Sequence, residues 1–175
     1  MTDSKIWTIG HSTRTTVDFL ELLISNGIEL VADVRSLPGS RKYPHFNSEV
    51  LSETLKKNGI GYVLMKGLGG RRPTRSDSPN TVWRQKAFRG YADYMETENF
   101  KHGVAELLDF ARSKRTAIMC AEAVWWRCHR SMIADYLKAS GVIVEHIMAG
   151  RSNVVHPYTA AARIRDGALV YGADA

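Results

Sequence analysis

The chain has 175 residues, 44% of them hydrophobic and 24% charged, with a formal net charge of +6 at pH 7. That length suits one domain over residues 1–175 with a core of its own, and the composition excludes disordered, fibrous and disulfide-dense classes. The opening is short and polar, no run reaches the ~18 apolar residues of a membrane span, and the two cysteines suit a reducing compartment, so a cytoplasmic protein with no membrane partner is expected.

Residues 6–9 read as a short strand ended by Gly10, followed by a His11-Ser12-Thr13 loop. Thr15-Thr16-Val17-Asp18 has the form of a capping box with Asp in the acidic role. Phe19, Leu20, Leu23 and Ile24 recur at helical spacing up to Gly27. Residues 28–34 form a continuous apolar run suited to a strand buried on both faces, ending in Asp33-Val34-Arg35-Ser36. After a loop, Ser48 begins a helix on Val50, Leu51 and Leu55, and residues 60–65 make a third strand.

Residues 66–89 carry the whole charge excess. Lys66, Arg71, Arg72, Arg75, Arg84, Lys86 and Arg89 stand there against Asp77 alone, while the rest of the chain holds 17 residues of each sign. Such an inserted basic loop is either a solvated face or a surface for an anionic partner. Residues 88–95 and 99–113 have helical patterns, 116–120 a strand pattern, 128–140 a further helix and 142–147 a fifth strand. The tail, 150–175, holds His156-Pro157 and a short helical pattern over 160–164.

Strands and helices alternating in this way predict an α/β fold: a three-layer domain of about five mostly parallel strands with helices on both faces. In such sheets ligands bind outside the carboxyl ends of the strands. That rule gathers His11 and Ser12, Asp33 and Arg35, the basic loop, and Cys120 with Glu122; Arg127, Cys128, His129 and Arg130 follow at the start of the next helix. Unpaired N–H groups at a helix start favour an anion, and a cysteine there has a lowered pKa. Arg127 and Arg130, with Arg35, His129 and Ser12, are the expected anion-binding residues. Cys128 and Cys120, with Glu122 as acid or base and His11, are the candidates for catalysis. Cys128, at the helix start, ranks above Cys120, which ends a buried strand.

Three functional readings follow. Binding or processing of nucleic acid or nucleotides would use Arg71, Arg72, Arg75 and Arg89 on phosphates and Tyr91, Trp83, Phe88, Trp125 or Trp126 on bases. A Cys-dependent small-molecule enzyme, phosphatase- or sulfurtransferase-like, would use a cysteine over the anion cradle; Cys120 to Arg127 is Cys-x6-Arg, one residue longer than the phosphatase loop, and Asp33-Val34-Arg35 is reminiscent of rhodanese-like domains. A non-catalytic interaction module is the third. A zinc site on Cys120, Cys128 and His129 fits no standard spacing and lacks a fourth ligand, so neither metal nor cofactor is expected. Structural roles compete at each position: Cys120 as a core hydrophobe, His129 or Glu122 as capping groups, Asp33 with Arg35 as an internal ion pair, Tyr91 and Tyr94 as packing. His11, just after a strand-ending glycine, has no obvious packing use. His146 and His156 carry no signal.

Gly10-His11-Ser12-Thr13, Asp33-Val34-Arg35-Ser36, Phe46-Asn47, Leu68-Gly69-Gly70-Arg71, Phe88-Arg89-Gly90-Tyr91-Ala92-Asp93-Tyr94-Met95, Cys120-Ala121-Glu122 and Cys128-His129-Arg130 together resemble domain-of-unknown-function family 488. The resemblance implies a compact α/β bacterial or archaeal cytoplasmic domain whose motif residues share one site. It supplies no substrate, cofactor or mechanism. One departure is Trp125-Trp126, where similar proteins are expected to carry a proline; without it the loop loses a fixed φ.

Overall fold

The computed structural model describes residues 4–39 and 41–172. Residues 1–3 of the polar opening and 173–175 of the tail lie outside them. Strands β1 (Lys5–Gly10), β2 (Leu30–Asp33), β3 (Gly61–Leu64), β4 (Thr116–Cys120) and β5 (Ile143–His146) pair in parallel. A two-residue strand, β6 (Val154–Val155), adds antiparallel to β5, giving the order β3-β2-β4-β1-β5-β6.

Alternation along the strands sorts the core onto two faces. Trp7 and Ile9 of β1, with Ala117 and Met119 of β4, pack against Phe19 and Leu23 of α1 (Thr16–Ser25) and Leu51 and Leu55 of α2 (Ser48–Lys57). Ile6, Ile118 and Cys120 point the other way. They meet α3 (Lys86–Met95), α4 (Glu98–Ser113) and α5 (Arg130–Ala139) through Tyr91, Phe100, Leu107, Met132 and Ile133. Each fully buried side chain of this kind contributes about 2 kcal/mol. The result is a three-layer α/β fold with a mostly parallel sheet.

Local signals in the sequence appear as local structure. Thr15 Oγ1 accepts from the Asp18 N–H at 3.1 Å to cap α1, and Thr97 caps α4 through the Phe100 N–H. The tail departs from the helix expected over 160–164. It forms a hairpin, β7 (Arg163–Arg165) and β8 (Ala168–Val170). Asp166 and Gly167 between them both have positive φ, 52° and 78°, which is the two-residue turn that matches strand twist.

The topology creates a crevice. β4 inserts between β1 and β2. The helices following β1 and β2 cover one face, and those following β3 and β4 cover the other. Loops leaving the carboxyl ends of β1 and β2 therefore diverge from the loop leaving β4.

The tail is held by a buried polar chain that begins under this crevice. Arg130 donates to Thr8 Oγ1 at 3.0 Å, Thr8 Oγ1 lies 2.5 Å from His146 Nδ1, His146 Nε2 lies 2.8 Å from His156 Nδ1, and His156 Nε2 lies 2.7 Å from Asp135 Oδ1. Asp135 only accepts, so His156 donates to it from Nε2. His156 Nδ1 and His146 Nε2 share one proton, and His146 Nδ1 and the Thr8 hydroxyl share another. Asp135 also accepts from the Thr159 N–H and hydroxyl and from the Tyr171 hydroxyl. Three tail residues thus converge on one buried carboxylate of α5.

Candidate functional site

Residues from the ends of β2 and β4, the basic loop, α3 and the start of α5 surround one open pocket of about 390 Å³. Cys120, Glu122, Arg127, Cys128, His129, Arg35, Arg71 and Tyr91 line it, with Ser36, Leu37, Gly70 and Phe88. His11 and Ser12 line an adjoining hollow of about 380 Å³, which shares Arg35, Leu37, Ala121 and Glu122 with the first.

β1 and β4 leave the sheet together. The His11 N–H donates to Cys120 O at 3.0 Å and the Ser12 N–H to Ala121 O at 2.9 Å, which extends the ladder past the strand ends. A side chain at position 10 would place its Cβ 1.7 Å from Glu122 O, so only glycine admits this approach. Ser12 itself turns the chain with φ 47°.

Arg35 is fixed by two hydrogen bonds to Asp33, Nε to Oδ1 at 2.9 Å and Nη2 to Oδ2 at 2.7 Å, and Asp33 takes a further bond from the Tyr62 hydroxyl. The internal ion pair and the site position are therefore both true of Arg35. Its Nη1 lies 3.3 Å from His11 Nε2. His11 Nδ1 lies 3.0 Å from Ser12 O, an acceptor, so Nδ1 carries the proton and bare Nε2 receives Arg35. Burial holds the His11 pKa below its ordinary value, and the Arg35 charge acts in the same direction. His11 also stacks on Phe46 at 4.5 Å, a packing use its sequence position does not reveal.

His129 follows the same logic. Its Nε2 lies 2.7 Å from Val34 O and so carries the proton. Its Nδ1 is bare and lies 3.5 Å from Cys128 Sγ. Burial lowers the His129 pKa to about 4, so it is neutral near pH 7. The two cysteines are free and buried, and the Cys120 thiol donates to Glu122 O at 3.7 Å. Burial opposes ionisation of Cys120, but the Cys128 thiol, the Arg130 guanidinium and the Glu122 backbone outweigh it, and its pKa falls below the ordinary value. Burial and the neighbouring Cys120 push the Cys128 pKa well up. Cys128 accepts the Arg130 N–H on its sulfur at 3.5 Å, in place of an anion at the helix start, and burial keeps its proton.

Several expected residues lie elsewhere. Arg130 does not reach the rim. It is 0% exposed and spans from Thr8 to the carbonyls of Glu122 and Ala123, at 3.0 and 3.1 Å, beneath the site loop. Arg72 donates to Gly69 O and Lys66 O and lies 3.7 Å over the Tyr94 ring, fastening the basic loop to α3. Arg75 pairs with Asp77, and Arg89 donates to Trp83 O. Of the five residues expected to meet nucleic acid, Arg71 and Tyr91 line the pocket. Tyr91 is buried, and its hydroxyl donates to Leu68 O. Trp125 does not fill the pocket; it stacks on His146 at 4.6 Å with the rings parallel. Ser36, whose hydroxyl donates to Gly70 O at 2.6 Å, and Gly70, where a Cβ would lie 3.1 Å from the His129 ring, belong to the site but carry no mark in the sequence beyond their place in the strand-end and glycine motifs.

The Thr8–His146–His156–Asp135 chain is also invisible in sequence, because its members are spread from β1 to the tail. Among the described residues no group of three or more His, Cys, Asp or Glu is placed to hold a metal ion. Among the described residues no helix is long and apolar enough to cross a membrane.

Fold and site together define a three-layer α/β protein with a polar, thiol-floored pocket at the carboxyl edge of its parallel sheet. The chain belongs to the family described as Domain of unknown function DUF488, which matches residues 15–137. No curated protein and no solved structure matches it.

Proposed function

We propose that the pocket binds a phosphate-bearing ligand, a nucleotide or a segment of nucleic acid. The observation that carries this reading is the convergence of Arg35, Arg71 and Arg127, from three separate segments, on one hollow that also offers the apolar Leu37 and Phe88. Arg35 is already oriented by Asp33, while Arg71 and Arg127 form no ion pair among the described residues. A volume of about 390 Å³ is within the usual range of small-ligand sites. Guanidinium forks suit phosphate oxygens, and the apolar wall suits a sugar or base.

Calorimetric titration with inorganic phosphate, nucleoside monophosphates and a short single-stranded oligonucleotide, at low and physiological salt, tests it. Binding weakens steeply with salt if several phosphates are held, and Arg71→Ala with Arg127→Ala lowers affinity at least tenfold. Absence of binding by all three at millimolar concentration refutes the proposal.

A second reading, a Cys-dependent enzyme acting on a small anionic molecule, is favoured by the presence of Cys120 and Cys128 in the lining of the same pocket. The two readings share the anion; they differ in whether sulfur takes part.

A further inference from the structure

Beside the anion pocket lies a second hollow, of about 410 Å³, with no acidic side chain in its lining. Trp83, Trp125, Trp126 and Tyr158 supply its aromatic surface. The two hollows share walls. Trp83 packs on Phe88 of the pocket, with ring centroids 4.9 Å apart. A single turn of 3-10 helix, Trp125–Arg127, gives both indoles to the hollow and Arg127 to the pocket.

The aromatic surface is braced from below. Trp125 stacks on His146 at 4.6 Å with the planes 1° apart, and His146 is held in the buried polar chain by Thr8 and His156. Trp126 stands at 89° to Trp125, 5.4 Å away, and is 52% exposed. With the hollow beside it, this is a contiguous aromatic surface rather than a lone exposed ring, and such a surface marks a contact. A braced ring also has little conformational freedom to lose when a partner covers it.

The bordering charges narrow the choice of partner. Aromatic cages of this composition can hold a quaternary ammonium group. Here, however, Lys138 Nζ already lies 4.8 Å from the Tyr158 ring. Arg163 donates to Ala160 O of the lining at 2.8 Å, and Arg127 follows Trp126 in the chain. Asp135, beneath Thr159, is fully buried and accepts four hydrogen bonds. A cation in the hollow would therefore be repelled. A nucleobase is neutral, offers a flat π face, and is tied to a phosphate of the sign that Arg127, Lys138 and Arg163 attract.

We infer that the aromatic hollow is a base-stacking subsite, and that the partner of the combined surface is single-stranded nucleic acid. One phosphate sits among Arg35, Arg71 and Arg127, and an unpaired base further along the same strand stacks in the hollow against Trp126. In a duplex the base faces are covered by their neighbours, so an unpaired strand is the form that offers one. This assignment rests on the anion-binding reading of the pocket. It narrows the ligand from any phosphate-bearing molecule to a strand of two or more nucleotides.

Titration of the whole chain with inorganic phosphate, a nucleoside monophosphate and a single-stranded tetranucleotide, as DNA and as RNA, tests the two levels separately. Calorimetry gives the affinities, and quenching of indole fluorescence reports the hollow. The tetranucleotide should bind about tenfold or more tighter than the monophosphate, as expected for one base stacked on an aromatic ring, and it should quench. Trp126→Ala, at an exposed position, should remove most of that gain and of the quenching, while affinity for phosphate and monophosphate stays within about twofold. Trp126→Phe, which keeps a ring, should restore much of the gain. The tighter of the DNA and RNA strands identifies the sugar.

Phosphate and monophosphate binding with no gain from the longer strand, or a gain untouched by Trp126→Ala, overturns the base subsite and leaves the anion pocket standing. A tetranucleotide that depends on Trp126 but not on Arg71 and Arg127 overturns the shared strand and the anion reading with it. Binding of none of these ligands overturns both. Saturable quenching by choline or by a proline-rich peptide, without quenching by the tetranucleotide, overturns the choice of partner.

Discussion

Truncating Asp135 should unfasten the tail. The carboxylate accepts four hydrogen bonds: His156 Nε2 at 2.7 Å and the Thr159 N–H at 2.8 Å on Oδ1, the Thr159 hydroxyl at 2.6 Å and the Tyr171 hydroxyl at 2.7 Å on Oδ2. Asp135→Ala leaves these donors in a buried space without an acceptor, at about 1–3 kcal/mol for each that stays unsatisfied. The hydroxyls rotate towards other partners, but the Thr159 N–H and the imidazole do not, so a loss of about 3–5 kcal/mol is expected. Asp135→Asn retains one acceptor oxygen, and its amide donates to hydroxyls turned to accept, so its cost is about 1–3 kcal/mol. Urea unfolding followed by circular dichroism gives both values. Limited proteolysis should cut Asp135→Ala after residue 150 well before the rest of the chain. An Asp135→Ala variant within about 1 kcal/mol of the parent, or an Asn variant as damaged as the Ala one, refutes the assigned network.

Gly10→Ala sets a Cβ against the Glu122 carbonyl, which is held by Arg130 and has nowhere to go; a loss of about 3 kcal/mol or more is expected in the same unfolding assay, together with loss of pocket binding. The buried histidines set the acid limb of stability. The folded pKa of His129, about 4, lies below the unfolded 6.5, so the unfolded chain binds more protons between those values. Its contribution is complete above pH 6.5 and drains away as pH falls towards 4, by about 3 kcal/mol at most. His146, depressed to about 2, extends the decline. Stability that stays level from pH 6.5 to 4.5 rules this out. Arg72→Ala, which releases the Lys66 and Gly69 carbonyls and the Tyr94 ring, should cost about 1–2 kcal/mol of stability yet leave the salt slope of oligonucleotide binding unchanged. A flattened slope shows instead that Arg72 meets phosphate.

The sequence by itself determined the layers and their order. Continuous apolar runs at 28–34 and 116–120, period-3.6 patterns between strands, and caps such as Thr15 are local signals. They specify an α/β chain with polar and thiol-bearing side chains at its strand ends. The extra strand β6 and the β7–β8 hairpin escaped because short edge strands carry little pattern, although the Asp166-Gly167 pair marks the turn. The same limit applies within the site. Sequence gathers His11, Arg35, Cys120 and Cys128 on one rim, since strand ends share an edge. It does not tell a rim arginine from a buried one: Arg127 and Arg130 differ by three residues at a helix start, and only the packing of α5 under the 121–129 loop sends one to the pocket and the other to Thr8. Nor does it place the thiols: which sulfur meets the helix N–H and His129, and which meets the Glu122 carbonyl, are distances between segments that only the folded chain brings together.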